Sequence, residues 1–462
     1  MSGIAIVGGG ISGLSAAYYL SRTGHPCTLI ETSPVLGGVI RSERAGGCLI
    51  EAGPDSFLAQ KPWALQLIRE LGLEDQVIGS NDAARRTFIC RQGRLIPLPD
   101  GIQFLAPTRL WPILTTPLFS WRTKARMGLE WFHRPQHERR DRSVADFVTE
   151  HYGAEVNEYL AQPMLAGVYG GAAEKLSAQS VLPQFIEIER KFGSLTRGMV
   201  RTRRAAAAAA APENGRPRSL FLSLRGGMQQ LTDTLAARLD RRIRRVTGTV
   251  QELRGARGAF DLQLDGTTIT ADQVVLAVPA YRAAELLGSL DEGLAGLLMG
   301  VRYSSSITAA LLYERAGWTH PLDGFGFLVP RVEGRPLAAC TWVNTKFPSR
   351  VAEDRVLLRG FMAGEQAEGM LSASDEELAG VMDRQCRELM GFQQTPAQWR
   401  IHRWFRAMAQ YEVGHQYRMD ELTLRLTQLP GLYLAGNAYS GIGIPDCIHR
   451  SQLIAEQVAR AV

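Results

Sequence analysis

The chain has 462 residues, 45% of them hydrophobic and 21% charged, with a net charge of +6. That balance excludes a disordered or fibrous chain and supplies apolar material for two or three packed regions. The positive charge does not signal nucleic acid, because arginine is dispersed and no helix-turn-helix, finger or RNA-binding signature is present; it suits an acidic substrate or an anionic membrane surface better.

Residues Ile4-Ala-Ile-Val7 read as an apolar strand that runs into Gly8, Gly10 and Gly13, with a helix expected over Ser12 to Leu20 and a second strand over Cys27 to Ile30. Gly8 allows the tight turn, Gly10 lets the backbone approach a pyrophosphate, and Gly13 lets the helix pack on the strand with its N-terminus facing the phosphates. Glu31 follows eighteen positions after Gly13, where a carboxylate accepts from ribose hydroxyls. Leu36-Gly-Gly-Val-Ile-Arg41 comes next, and Glu51-Ala-Gly-Pro54 ends the following short apolar stretch. A second glycine pair frees backbone N–H groups and Arg41 adds a fixed positive charge, which suits a dinucleotide held permanently.

A mainly helical region is expected from about 95 to 210. Residues 101–133 mix Phe104, Leu105, Leu110, Trp111, Pro112, Ile113, Leu114, Leu118, Phe119, Trp121 and Trp131 with Arg109, Arg122, Lys124 and Arg126. Such a mixture suits a membrane interface or a face packed on its own domain or on a second subunit. Arg203-Arg-Ala205 to Ala211-Pro212 reads as a variable surface insertion or a short helix. Leu224-Arg-Gly-Gly-Met228 is expected to begin a helix, strands dominate from about 245, and Ser306 to Tyr313 and Val356 to Phe361 are expected in a second sheet. The closing third repeats strand, glycine turn and helix: Leu432-Tyr-Leu-Ala-Gly-Asn437, then Gly441-Ile-Gly-Ile-Pro-Asp446, then a helical run to Val462. Six cysteines form no CxxC pair and read as reduced and mostly buried. With no apolar run of about twenty residues and a strand beginning near residue 3, the expected location is cytoplasmic.

These segments together resemble the flavin-containing amine oxidase and protoporphyrinogen oxidase superfamily, and the resemblance spans the chain. It is strongest to the bacterial porphyrinogen oxidases of haem synthesis, through Glu51-Ala-Gly-Pro-Asp-Ser-Phe57, Pro163-Met-Leu-Ala-Gly-Val-Tyr-Gly170, Lys175-Leu-Ser177, Gln410-Tyr-Glu-Val-Gly-His415 and Gly443-Ile-Pro-Asp-Cys447. Asn437 departs from the acidic residue that much of the superfamily carries there. The resemblance implies an α/β fold: a discontinuous Rossmann-like FAD-binding domain (1–85, 220–285 and 402–462), a mixed-sheet substrate domain (86–100 and 286–401), and a mainly helical, membrane-docking-like region (101–219) with a variable insertion near 201–219.

The implied FAD contacts are Gly8, Gly9, Gly10, Ile11, Ser12, Gly13, Glu31, Thr32, Gly37, Gly38, Arg41, Gly53, Pro54, Asp55, Val250, Trp404, Gly436, Asn437, Gly443 and Ile444, with Tyr411 packing near the flavin. Phe325, Leu328 and Phe361 stand where the family sandwiches the macrocycle, and Lys61 where a cation meets its propionates, with Arg85 and Arg86 as weaker candidates. Gly167 stands where a backbone carbonyl nears the reacting carbon, two residues from Tyr169. His415 and His449 read as structural, and no metal is implied.

The implied chemistry removes six hydrogens from a porphyrinogen in three rounds, each passing a hydride to FAD and a proton to solvent, with O2 reoxidising the flavin and yielding hydrogen peroxide. Coproporphyrinogen III carries four propionates and protoporphyrinogen IX two, and the basic balance together with Ala339-Cys-Thr-Trp342 leans toward the former. An amine oxidase, a carotenoid desaturase and a non-catalytic flavin-binding sensor or scaffold are the alternatives. Peripheral membrane contact, a homodimer and neighbouring haem-synthesis enzymes remain open as partners.

Overall fold

Ile4–Val7 is apolar and buried at every position, which suits a strand covered on both faces. In the computed structural model, which describes residues 3–461 apart from 104, 136–139, 210–218, 240 and 257, it is the middle strand of a five-stranded parallel sheet. The order is Arg244–Thr247, Cys27–Glu31, Ile4–Val7, Gln273–Leu276, Leu432–Leu434. Ile4 lies opposite both Cys27 and Gln273, so the turns that leave three of these strands share one edge. Helices Ile11–Leu20, Gln229–Leu239 and Ile444–Ala461 cover one face, and the Ser451 hydroxyl donates to the Ser12 carbonyl at 2.8 Å. A three-stranded antiparallel sheet, Glu252–Ala256, Ala259–Leu264 and Thr267–Ala271, packs against the other face.

The second sheet has seven strands in the order Gln398–Ala409, Tyr303–Glu314, Arg355–Ala363, Ala339–Trp342, Gly326–Leu328, Thr87–Arg91, Arg94–Pro97. Every pairing is antiparallel except that of Gly326–Leu328 with Thr87–Arg91. Ile307, Leu311, Tyr313, Phe327, Val356, Leu358 and Met362 point to one face and meet Leu378, Met382 and Cys386 of helix Asp375–Met390. A Ser374/Glu377 capping box starts that helix, and Gly391 at φ 75° ends it. By strand alternation Leu357, Arg359 and Phe361 point the other way, toward the first sheet.

Two expected boundaries move at this level, and one segment shows two faces. The helix expected from Leu224 begins only at Gln229, because Phe221–Leu224 is taken as a strand between Phe57–Leu58 and Val77–Gly79. The boundary expected at 402 falls within Gln398–Ala409, which stays in the seven-stranded sheet over its whole length because it pairs with Tyr303–Glu314. The aromatic segment 101–133 faces two ways: Leu105, Ile113, Leu118 and Phe119 are core, whereas Leu110, Trp111, Trp121, Leu129 and Phe132 are each about 70% exposed. Lys124 is buried, with its ammonium on the Leu114 carbonyl at 2.8 Å and over the Trp121 ring. Phe104 and residues 210–218 of the expected insertion lie outside the described residues, and helix Leu195–Ala209 runs into the alanine tract.

A buried ionic seam joins the two sheets. Arg350 meets Glu51 at 3.0 Å with both side chains almost wholly buried, and Lys346 meets Asp55 at 2.8 Å. Glu51 also accepts from the Ser42 hydroxyl at 2.6 Å and the Met228 N–H at 2.8 Å. Burial alone would raise the Asp55 carboxyl, but Lys346 and Arg359 outweigh it and hold it well below the usual carboxylate range. Removing one partner of such a pair strands a charge in a dry interior. Arg350→Met is therefore expected to cost about 3–5 kcal/mol, read as a lowered thermal midpoint of the apoprotein by circular dichroism, and the double variant Glu51→Gln/Arg350→Met to recover at least half of the loss.

Candidate active site

The site lies along the edge where the first sheet's strands end. Gly8, at φ 108°, turns so tightly that a Cβ there would stand 2.4 Å from the Ala277 carbonyl oxygen, and one on Gly13 would stand 1.8 Å from that of Gly8. These two glycines therefore hold the N-terminus of helix Ile11–Leu20 hard against the strand. Gly9 N–H donates to Glu31 Oε2 at 2.5 Å and Ser33 N–H to Oε1 at 2.8 Å, which fixes the carboxylate beside the turn. Gly37 bridges to Gly10 and donates to the Gly9 carbonyl at 2.8 Å, so Gly37 and Gly38 line the opposite wall. Arg41 is exposed just beyond them.

Thr32 shares a hydroxyl contact of 3.2 Å with Thr249, and the buried Val250 follows it. The Val250 carbonyl accepts from Arg282 at 2.8 Å. At the other end, residues 51–55 lie against the second glycine loop, where a Cβ on Gly53 would stand 1.8 Å from the Val39 carbonyl oxygen. Ala52 N–H donates to the Arg41 carbonyl at 2.9 Å, and Trp404 Nε1–H donates to the Ala52 carbonyl at 2.9 Å.

The closing segment completes the wall. Gly436, at φ 139°, leads to Asn437, whose amide donates to the Ala407 carbonyl at 3.2 Å and whose own carbonyl accepts from Tyr411 Oη at 2.8 Å. Tyr411 Oη in turn accepts from Gly441 N–H at 2.8 Å. Gly443 N–H donates to Asp446 at 3.2 Å, and Ile444 opens helix Ile444–Ala461. Helix N-termini leave unpaired N–H groups and partial positive charge, so two of them face this trough. Ribose acceptor, glycine walls and paired helix ends fit an extended dinucleotide running from Val250 to residues 51–55.

Next to the trough, one row crosses the second sheet on its inward face: Ile89, Leu328, Ala339, Phe361, Thr308 and His402 stand directly opposite one another on successive strands. Leu328 and Phe361 are half-buried in that row, whereas Phe325 is only 8% exposed. Helix Gln162–Tyr169 ends beside the C-terminal end of strand Arg355–Ala363: the carbonyl of its cap, Gly170, would stand 2.6 Å from a Cβ on Gly364, and Leu165 and Tyr169 share a core cluster with Ile89, against which Leu328 packs. Gly167, inside this helix, is exposed, and a Cβ there would meet nothing within 4 Å. The glycine is thus not required by packing.

Some expected residues are committed elsewhere. Lys61 donates to both carboxylate oxygens of Asp446, at 2.7 and 2.6 Å, so its charge is answered within the chain. Asp55 points into the ionic seam rather than the trough. Arg85 is exposed, and Arg86 reaches Asp323 at 3.2 Å. His415 stacks on Tyr411 with ring centres 3.9 Å apart and contacts the Tyr439 carbonyl; burial pushes its pKa down to about 4. His449 stacks on Trp63 at 4.0 Å. Sequence reasoning missed Thr308, Arg359, Asp446 and Gln410, the last of which donates to the Tyr169 carbonyl. Arg359 had a visible signal, a lone charge inside the apolar run Val356-Leu-Leu-Arg-Gly-Phe-Met362. Among the described residues no group of His, Cys, Asp and Glu is arranged to hold a metal ion.

Known proteins are similar to this chain along nearly its whole length. The coproporphyrinogen III oxidase of Bacillus subtilis is 33% identical over 459 residues, covering 97% of this chain and 96% of its own. Human protoporphyrinogen oxidase is 30% identical and covered to 98% on both sides. A crystal structure from Exiguobacterium sp. 255-15, assigned as a protoporphyrinogen oxidase, superposes with a TM-score of 0.88 at 30% identity over 99% of each chain. The model of the family described as flavin containing amine oxidoreductase matches residues 11–459, and FAD is the cofactor. The chain is a member of the flavin containing amine oxidoreductase family, an FAD-dependent oxidoreductase.

Proposed function

We propose that this enzyme oxidises a porphyrinogen to the porphyrin in haem synthesis, with O2 as acceptor, and that coproporphyrinogen III is preferred to protoporphyrinogen IX. The observation that carries the reading is the half-buried apolar row Leu328–Phe361, which is joined to residues 51–55 through Thr308, directly opposite Phe361 and bonded to the Ala52 carbonyl. A flat macrocycle needs two apolar walls and an electron-accepting ring at its edge. FAD supplies that ring when bound. The chain's own task is placement: Leu328 and Phe361 form the floor, and Gly167 lets the macrocycle approach helix Gln162–Tyr169 without meeting a side chain. The full-length likeness to the Bacillus subtilis coproporphyrinogen III oxidase supports the preference. Lys61, paired with Asp446 at the start of the closing helix, orders that rim, and it meets a propionate only by sharing its ammonium between the propionate and Asp446.

The exposed Leu110, Trp111, Trp121, Leu129 and Phe132, next to Arg109 and Arg122 in the chain, support a second element of the reading, docking on an anionic membrane surface from which an amphiphilic tetrapyrrole is received or released. Among the described residues no helix is long and apolar enough to cross a membrane, so attachment would be peripheral.

Anaerobic mixing with coproporphyrinogen III is expected to bleach the flavin faster than mixing with protoporphyrinogen IX, with porphyrin fluorescence growing after O2 is admitted; no bleaching by either contradicts the assignment. Gly167→Leu is expected to leave the thermal midpoint unchanged or raised, since glycine disfavours a helix interior by about 1 kcal/mol, while kcat/KM for the porphyrinogen falls by about tenfold or more, a loss of at least 1.4 kcal/mol in transition-state stabilisation. Replacing Trp111, Trp121 and Phe132 together by Ser is expected to abolish sedimentation with vesicles containing phosphatidylserine and leave flavin bleaching unchanged.

A further inference from the structure

Residues 51–55 run between the two sheets, and side chains from the second sheet and its neighbours take their carbonyl oxygens in succession. Arg359 Nε donates to the Glu51 carbonyl at 3.0 Å, and its terminal nitrogen donates to that of Gly53. Between these, the Ala52 carbonyl accepts from Thr308 Oγ1 at 2.7 Å and from Trp404 Nε1 at 2.9 Å. The Asp55 carbonyl accepts from Ser223 Oγ at 2.8 Å and Arg350 at 3.2 Å. Arg359, Thr308 and Trp404 come from three adjacent strands and share the sheet's inward face. Phe361 is on that face as well, two residues from Arg359 and directly opposite Thr308.

We propose that Arg359, helped by Thr308 and Trp404, is the positioning residue through which the substrate-side sheet sets the path of residues 51–55 and hence the seat of the flavin ring. A planar guanidinium can bridge the carbonyls of residues 51 and 53 while leaving that of residue 52 to its neighbours; an ammonium cannot reproduce that fork. The same strand then carries both the floor under the macrocycle, at Phe361, and the clamp on the flavin strip, at Arg359. The spacing of two residues fixes the offset between them within a rigid sheet. The inference rests on the flavin site and not on which substrate is oxidised, so flavin readouts test it with no substrate present.

The test uses purified holoenzyme carrying Arg359→Met, Arg359→Lys or Thr308→Val. The expected result for Arg359→Met is FAD release on dilution about tenfold faster, the loss of one or two hydrogen-bonded contacts, together with a shifted flavin absorption envelope. kcat for the porphyrinogen is expected to fall by a similar factor with KM within about twofold, as for an effect on the reacting geometry. Thr308→Val, which keeps the side chain's volume, should move the flavin spectrum in the same direction by less, and Arg359→Lys should restore the thermal midpoint but not the spectrum. A wild-type flavin spectrum and FAD release rate in both Arg359→Met and Thr308→Val, whatever their thermal midpoints, would overturn the proposal. Should Arg359→Met fail to fold, Thr308→Val alone decides between the two outcomes. Altered flavin spectra in a protein that no porphyrinogen reduces would leave the clamp standing and remove the substrate reading.

Discussion

The structure depends on one stretch of backbone, residues 51–55, whose carbonyl groups cannot be buried unpaired. An unsatisfied buried carbonyl costs about 1–3 kcal/mol, and here two sheets meet over several of them at once. The chain resolves this by turning side chains of the seven-stranded sheet inward, Arg359, Thr308 and Trp404, and by adding Arg350 and Ser223 from the flanking elements. The Glu51–Arg350 and Lys346–Asp55 pairs surround the same strip. A cofactor sheet and a substrate sheet that merely packed together could slide; these directional contacts fix one against the other.

That constraint explains the division of labour along the site. The glycine turn at residues 8–13 and the closing segment 436–444 bring two helix N-termini to one edge of the parallel sheet, which answers phosphate charge with backbone alone. No acid, base or nucleophile set is needed where a cofactor supplies the reactive atom. What remains for side chains, on the proposed reading, is to shape the place of a flat substrate, with Leu328 and Phe361 on the sheet's inward face next to residues 51–55. The buried histidine nearby suits this role, since His415, with its pKa pushed down to about 4 by burial, stays neutral and stacks.

The cofactor trough was legible in the sequence because glycines at close approaches leave a spacing that survives without structure: Gly8, Gly13, Gly37 and Gly53 each stand where a Cβ would strike backbone or a neighbouring side chain. The parallel strands were legible for a related reason, since a strand covered on both faces must be apolar throughout. The clamp was legible only in half: Arg359 stands out as a lone charge inside an apolar run, but the carbonyl it takes at Glu51 lies 308 residues away in the chain and no local pattern names it. The ion pair of Lys61 was hidden for the same reason, as its partner Asp446 lies 385 residues away. The segment 101–133 shows the limit of composition: the same aromatic and aliphatic residues supply both core, as Phe119, and surface, as Trp111, and only packing separates them.

The proposed function requires a flat macrocycle between the Leu328–Phe361 row and helix Gln162–Tyr169, with the flavin ring beside residues 51–55. A crystal structure of the holoenzyme with coproporphyrin III tests it most directly. The expected result is the porphyrin plane over Phe361, its edge toward the flavin, and the Gly167 backbone in contact with the macrocycle. A porphyrin bound outside that slot, or a flavin ring away from Gly53 and Trp404, would contradict it.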